Sequence, residues 1–576
     1  MKSVSLFDNK WIDFLFLIIL IGFINFSMLG AYPLFIPDES RYAEIAREML
    51  STHQFVIPHL NGVIYLEKPP LSYWINALVM ALFGNSEWAV RSMDAVLGDL
   101  TCLIIYFTAL KLYNRRIAIL SALILSSCLL HFILSHLVTT DMPLTFFLTT
   151  SLCCFLLSLH LPVGMSRNTL FCLAYLFSGL AIMTKGLIGI VLPGLIIGVW
   201  IVLTRQWQVL KKMQLWLGTF IVLSIALPWL IVVQKEIPGF LHFYFIEQQV
   251  ARYAMPIADR EMSVVMYCFA FFLALFPWGV WLPQSITAIF LSDGLIAILQ
   301  KMRCRWSTLW VEFQSKSCDV YLLIWSLAIF LFFSASHSIL VPYLLPTLPP
   351  ISILIAQYFD KYWHDKLNKS QRISVILLVI VQLTTSIGCI LYPSFHDTQI
   401  ISNTYQWLSF IELIVAISSG VMIFISVRRG SMRHVFIAIL LPTYLFLILL
   451  LQLIASGNEL SVKSLAVTIK TLLKDHPNAL VVNYGNYEQD LPYYLDHLVT
   501  IVDWQNELSF GFNHQSDAKY LLIDKMAFKD RWFSNQHLYV VMRQRYYQDF
   551  CSDAKQQCHL IKAVAGGVLI TNKNLA

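Results

Sequence analysis

Apolar runs of about twenty residues recur from Trp11 to about Leu453. In a bilayer only helices and closed barrels satisfy every backbone polar group, so repeated runs of this length mean a bundle of membrane-spanning helices. Of the 576 residues, 58% are hydrophobic and 13% charged, against about 25% charged in a soluble domain. The net charge of +6 is spread over short clusters between apolar runs. No basic patch or stripe forms, which excludes nucleic acid as the partner. The first run follows Lys2 and Lys10 without a small-residue cleavage site, so it is expected to be a retained helix rather than a removed signal peptide.

The runs lie near 11–31, 88–110, 117–135, 142–160, 168–183, 186–204, 214–233, 263–290, 319–334, 341–358, 373–393, 407–426 and 434–455. They predict about thirteen transmembrane helices. With the N-terminus cytoplasmic, basic residues fall on the inside loops, among them Arg115 and Arg116, Lys211 and Lys212, Lys301, Arg303 and Arg305, Lys361 and Lys366, and Arg428 and Arg433. The opposite loops are poor in Lys and Arg apart from the first loop, the turn at Lys185 and the loop after the seventh span. This alternation is the positive-inside pattern, and an odd count places the C-terminal tail outside.

Two outside segments are long, about 32–87 and 234–262. From Asp38 to Leu50, Tyr42, Ile45, Ala46 and Met49 share one helical face, which predicts an amphipathic helix lying in the membrane interface. The tail from 456 to 576 has only short apolar runs, near 479–482, 500–502, 520–523, 538–542 and 567–570, with a helical pattern near Val462 to Lys474. These predict a small soluble α/β domain. Most of the 11 cysteines lie in or beside apolar runs; Cys551 and Cys558 lie in the tail, which is placed in an oxidising compartment, and they predict a local disulfide.

Charged motifs gather on the outer face. Pro37-Asp38-Glu39-Ser40-Arg41-Tyr42 opens the first outside segment. Asp38 there could cap a helix or act chemically. Glu67-Lys68-Pro69-Pro70 holds a lysine on a rigid extended backbone, suited to a phosphate or simply to the interface. Asp141 begins the fourth span, and Lys185 lies in the Thr184-Lys185-Gly186 turn. Asp99 lies mid-span, where a structural hydrogen bond is the expectation. The later outside segment carries Gln248, Gln249, Arg252 and Tyr253. His337 and the prolines of Pro342-Tyr343-Leu344-Leu345-Pro346 follow the ninth span. Irregular backbone at that depth implies a cavity under the outer face.

At these residues the chain resembles the lipid-linked-sugar glycosyltransferases of the bacterial aminoarabinose transferase type (ArnT), relatives of protein O-mannosyltransferases with the GT-C fold. The resemblance rests on Pro37 to Ile45, Glu67-Lys68-Pro69, Tyr73-Trp74, Asp141-Met142-Pro143, Thr184-Lys185-Gly186, Leu227-Pro228-Trp229, Phe332-Phe333-Ser334 and Tyr343-Leu344-Leu345-Pro346. It implies an all-α polytopic membrane domain over 1–455 and a periplasmic α/β domain over 456–576. The implied donor is a sugar on undecaprenyl phosphate, with reaction at the periplasmic side of the inner membrane. Asp38 and Asp141 would stand at the reacting centre. Lys68, Arg252 and Tyr343 would engage the donor phosphate, with Glu39, Glu67, Lys185 and His337 as further site candidates. Relatives can bind a metal through a glutamate and a histidine. Here the second segment reads Glu247-Gln248-Gln249-Val250-Ala251-Arg252, with Gln in place of His. Glu67 remains as the one candidate ligand, and a divalent metal is left open; no other cofactor is implied.

The acceptor separates two readings. A lipid A phosphate is already ionised and needs no base, whereas a protein hydroxyl does. The resemblance favours lipid A or a related glycolipid, with protein O-glycosylation as the alternative. A transporter or flippase would show internal repeats and broken helices at the membrane midplane; no repeat is seen, and the charged motifs gather at one surface.

Overall fold

The computed structural model describes residues 10–255, 262–290, 313–395, 403–456, 461–553 and 558–574. Among the described residues, eight helices are long and apolar enough to cross a bilayer, from Glu87–Leu112 to Met432–Ser456. Two bent pairs raise this to ten if each is one span. The thirteen expected runs therefore do not fold as thirteen uniform helices. The run 117–135 breaks into Arg115–Ser126 and Leu129–Ser135, bent by 65°. There the Ser127 hydroxyl turns back onto the Leu123 carbonyl at 2.5 Å, a bond that competes with the helix. The run 263–290 breaks into Val264–Ala274 and Trp278–Phe290, bent by 101° around Pro277. The runs at 11–31, 186–204 and 341–358 hold the shorter helices Lys10–Asn25, Ile188–Thr204 and Leu348–Lys361. The last follows a 3-10 turn, Val341–Thr347, where Pro342 and Pro346 deny the backbone its donors.

One end of the bundle is tied by ion pairs from loops read as cytoplasmic. Arg115 grips Asp13 with two bonds of 2.5 and 2.6 Å. Arg116 and Asn114 both donate to Asp360, at 2.8 and 3.0 Å. Lys301, Arg303 and Arg305 lie outside the described residues. Mid-span Asp99 accepts a 2.7 Å hydrogen bond from Asn25, the structural role expected of it.

The C-terminal part forms a six-stranded sheet. A hairpin in the first outer segment supplies β1 (His59–Leu60) and β2 (Val63–Ile64). The sheet itself uses β3 (Leu480–Tyr484), β4 (Thr500–Val502), β5 (Leu522–Ile523), β6 (Leu538–Met542), β7 (His559–Val564) and β8 (Gly567–Thr571), in the order β5-β4-β3-β6-β8-β7. The first four in that order run parallel, and β8 and β7 add antiparallel. β7 escaped the sequence reading because its exposed edge position relaxes the apolar run. Cys551 and Cys558 are joined by a disulfide, as predicted.

This domain sits on the first outer segment. Asn61 and Val499 exchange two hydrogen bonds of 2.8 Å. Tyr494 donates nothing to Leu34 but accepts its N–H at 2.9 Å, and Tyr493 donates to the Asn85 carbonyl at 2.9 Å. Ala43, Ile45, Ala46 and Met49 share one core with Leu465, Ile469, Leu491 and Ile501. The helix Asp38–Thr52 is consequently buried at every residue from Glu39 to Met49. The expected interfacial helix is corrected: its polar side faces protein. Glu44 holds Arg47 at 2.7 Å through both oxygens, and Glu48 accepts the N–H groups of Asn61 and Gly62 at 2.5 and 2.9 Å. Buried charges persist only when paired in this way.

Candidate active site

Asp38 is the first residue of its helix, and Pro37 occupies the cap position with no side-chain capping bond. Asp38 is 64% exposed, with Arg41 at 3.8 Å. Asp141 likewise begins Asp141–Ser158 behind Thr140, which makes no side-chain capping bond. Capping accounts for neither aspartate. Glu39, a further candidate from sequence, is committed to structure. Its carboxylate accepts Arg91 at 2.7 and 2.8 Å and the backbone N–H groups of Phe35 and Val138, each at 2.9 Å. Those two anchors each lie three residues before an aspartate, so Glu39 sets Asp38 and Asp141 in mutual register.

Lys185 ends the helix Met165–Lys185 and donates to Asp141 at 2.5 Å. Its ammonium lies 4.5 Å from the centre of the Tyr343 ring, a cation–π contact. The turn beyond it requires Gly186. Its φ of +87° is left-handed, and an added Cβ would strike the Gln249 amide and the Tyr244 hydroxyl. Gly186→Ala is expected to displace Lys185 and to lower stability by about 1 kcal/mol or more; thermal melting of the purified protein checks this.

The second outer segment folds as a ten-residue π-helix, His242–Ala251, continued by Arg252–Ala254. π-helices are rare and are frequently found at functional sites. Its wide turn brings Tyr244, Gln248, Gln249 and Arg252 to one cavity of about 290 Å³. Glu67, Lys68, Lys185 and Tyr343 line the same cavity, and Leu187, Val191, Phe332 and Phe333 make its apolar walls. Residues 256–261 of this segment lie outside the described residues. Arg252 donates to Gln248 at 3.0 Å and pairs with Glu67 at 3.5 Å; the Tyr65 hydroxyl also reaches Glu67, at 3.3 Å. Sequence reasoning missed Tyr65, Tyr244 and the π geometry, because period and propensity do not encode a widened turn.

Of the residues singled out from sequence, Glu67, Lys68, Lys185, Arg252 and Tyr343 converge on the cavity. Asp141 joins them through Lys185. Buried Tyr42 connects Asp38 to the group: burial first, then Asp38, Asp141 and Glu67, push its phenol up against the opposing pull of Arg41. His337 is exposed and does not line the cavity; its backbone N–H donates to the Tyr253 carbonyl at 3.0 Å. Burial and then the neighbouring Arg252 press the Lys68 ammonium down to about 7, with Glu67 opposing. Lys68, Lys185 and Arg252 exceed the carboxylates Glu67 and Asp141 by one charge, which suits a singly charged phosphodiester.

The donor set does not fit a divalent metal. Glu67 is engaged by Arg252 and Tyr65, and the Gln248 amide that lines the same cavity accepts from Arg252 and is a poor ligand beside imidazole. Among the described residues no group of three or more His, Cys, Asp or Glu comes together.

Two family models match the chain: dolichyl-phosphate-mannose-protein mannosyltransferase over residues 14–244, and aminoarabinose transferase C-terminal domain over 465–572. The chain is 32% identical to an undecaprenyl phosphate-alpha-4-amino-4-deoxy-L-arabinose arabinosyl transferase of Erwinia tasmaniensis, over 56% of this chain and 55% of that protein. It is 30% identical to one of the same name from Enterobacter sp. (strain 638), over 59% of each. The chain thus spans a little over half the length of these curated relatives in the matched regions. The crystal structure of ArnT from Cupriavidus metallidurans bound to undecaprenyl phosphate superposes with a TM-score of 0.82 at 25% identity, covering 98% of both chains.

Proposed function

We propose that this chain is a glycosyltransferase of the ArnT type with the GT-C fold, and that it moves a sugar from undecaprenyl phosphate to lipid A or a related envelope glycolipid. The observation that carries this reading is the cavity: three bases meet apolar walls beside Glu67, with Asp141 paired to Lys185 behind them, a match to a lipid-linked phosphate. It is a multi-pass protein of the bacterial inner membrane. We place its N-terminus in the cytoplasm and the tail from Ser456 in the periplasm, on the alternation of basic loops. A reporter active only in the periplasm, fused after Ala576, should be active; activity of a cytoplasmic reporter there would sink the orientation.

In this reading the bond between the anomeric carbon and the phosphate oxygen breaks. The electron pair leaves with the lipid phosphate, where Lys68 and Arg252 stabilise the growing negative charge and Tyr343 lies alongside. An acceptor phosphate oxygen forms the new bond to the anomeric carbon and needs no proton removed. Asp38, with Asp141 held by Lys185, then serves to orient the sugar and to stabilise positive charge on its ring. Purified protein in liposomes, supplied with undecaprenyl-phosphate-linked 4-amino-4-deoxy-L-arabinose and lipid A, should yield sugar-modified lipid A by mass spectrometry. Transfer to a serine peptide instead would favour protein O-glycosylation, and solute movement without transfer would favour transport.

A further inference from the structure

We propose that Glu507, from the C-terminal sheet domain, is a positioning residue of the active site: it draws Arg41 away from Asp38 and so keeps the Asp38 carboxylate free. The inference rests on the reading above that Asp38 acts on the sugar. Asp38 and Arg41 are three residues apart on one helix, a spacing that places side chains side by side. Such a pair readily closes into a two-bonded ion pair, among the stronger hydrogen-bonded contacts in proteins. Here it does not close. Arg41 stands 3.8 Å from Asp38 but 3.0 Å from Glu507. Asp38 is 64% exposed, whereas the side chains of Arg41 and Glu507 are 9% and 13% exposed.

Glu507 is itself held. It lies in the short 3-10 turn Asn506–Leu508, which follows β4, and Gln489, after β3, donates to its other oxygen at 2.9 Å. Burial above all pushes the Glu507 carboxyl up, Arg41 and Gln489 pull it down, and Glu67 and Asp38 add to the upward push. Glu507 thus lies within electrostatic reach of Glu67 and Asp38. The sheet domain therefore reaches the reacting centre through one buried carboxylate, in addition to covering the helix that carries Asp38.

Glu507→Gln keeps the bond to Gln489 but removes the charge that holds Arg41. Arg41 then closes on Asp38. Turnover with undecaprenyl-phosphate-linked 4-amino-4-deoxy-L-arabinose and lipid A should fall about tenfold, with donor KM and melting temperature nearly unchanged. Adding Arg41→Gln to that variant removes the competing cation and should recover most of the lost turnover, a coupling that a merely structural role does not produce. Wild-type turnover in Glu507→Gln would overturn the inference. A parallel fall in turnover and melting temperature that Arg41→Gln does not reverse would also overturn it. Asp38→Asn in the same assay separates the two levels. If Asp38→Asn stays active, the functional reading itself fails. If it is inactive while Glu507→Gln is normal, only the positioning role fails.

Discussion

Asp38→Asn lowers turnover by about 100-fold or more, the scale of one charged group acting only during reaction, while undecaprenyl phosphate still binds. The substitution is informative because Asn keeps the size and most of the hydrogen bonding of Asp. It also removes no helix cap: Pro37 holds the cap position, and Asp38 makes no capping bond. The side chain is 64% exposed and its nearest cation is 3.8 Å away, so neutralising it strands no buried partner and costs the fold little. Binding is read with undecaprenyl phosphate itself, because the proposed function gives its phosphate to Lys68 and Arg252, which line the cavity, rather than to Asp38. Turnover near that of the native protein would return Asp38 to a surface role and weaken the whole assignment.

Lys68→Ala weakens donor binding by about 10- to 100-fold, the worth of one charged hydrogen bond to phosphate, and slows turnover as well, because the charge is needed both before and after the bond breaks. The native protein should also show a pH signature. Burial and Arg252 hold the free Lys68 ammonium near pH 7, and a bound phosphate raises it again. Below about pH 7 the proton is present in free and bound protein alike, and affinity is flat. Above it, binding must restore the proton, and affinity falls by up to about tenfold per pH unit until the bound form also titrates. The phosphodiester keeps one charge throughout this range while the amino group of the sugar titrates within it, so the part of the trend that belongs to the protein is the difference from Lys68→Met. Calorimetric titration of donor between pH 6 and about 9 should show proton uptake in the native protein and a flatter profile in Lys68→Met. A flat native profile would remove Lys68 from the phosphate contact.

Both predictions depend on residues that could be found in the sequence, though their partnerships could not. The Pro37 to Tyr42 motif, Glu67-Lys68, Asp141, the Lys185 turn and Tyr343 each stand out as charge or proline where apolar helix is expected. Yet Glu39 and Asp38 are adjacent and look alike in sequence. Only packing shows that one is clamped by Arg91 and the other is exposed. The helix they begin carries an apolar stripe that reads as interfacial; the domain that shares a core with that stripe comes more than four hundred residues later.

The sequence by itself determined the membrane bundle, the gathering of the charged motifs at one face and the strands β3, β4, β5, β6 and β8. Lipid allows only backbone that bonds to itself, and buried strands demand continuous apolar runs, so both signals are local and strong. The tertiary structure alone decided which helices break, that residues 242–251 widen into a π-helix, and that Arg252 faces Glu67. It also decided that Arg41 turns to Glu507 and not to the aspartate on its own helix. Those outcomes depend on competition among partners distant in the chain, decided by burial and distance, and local sequence carries no record of either.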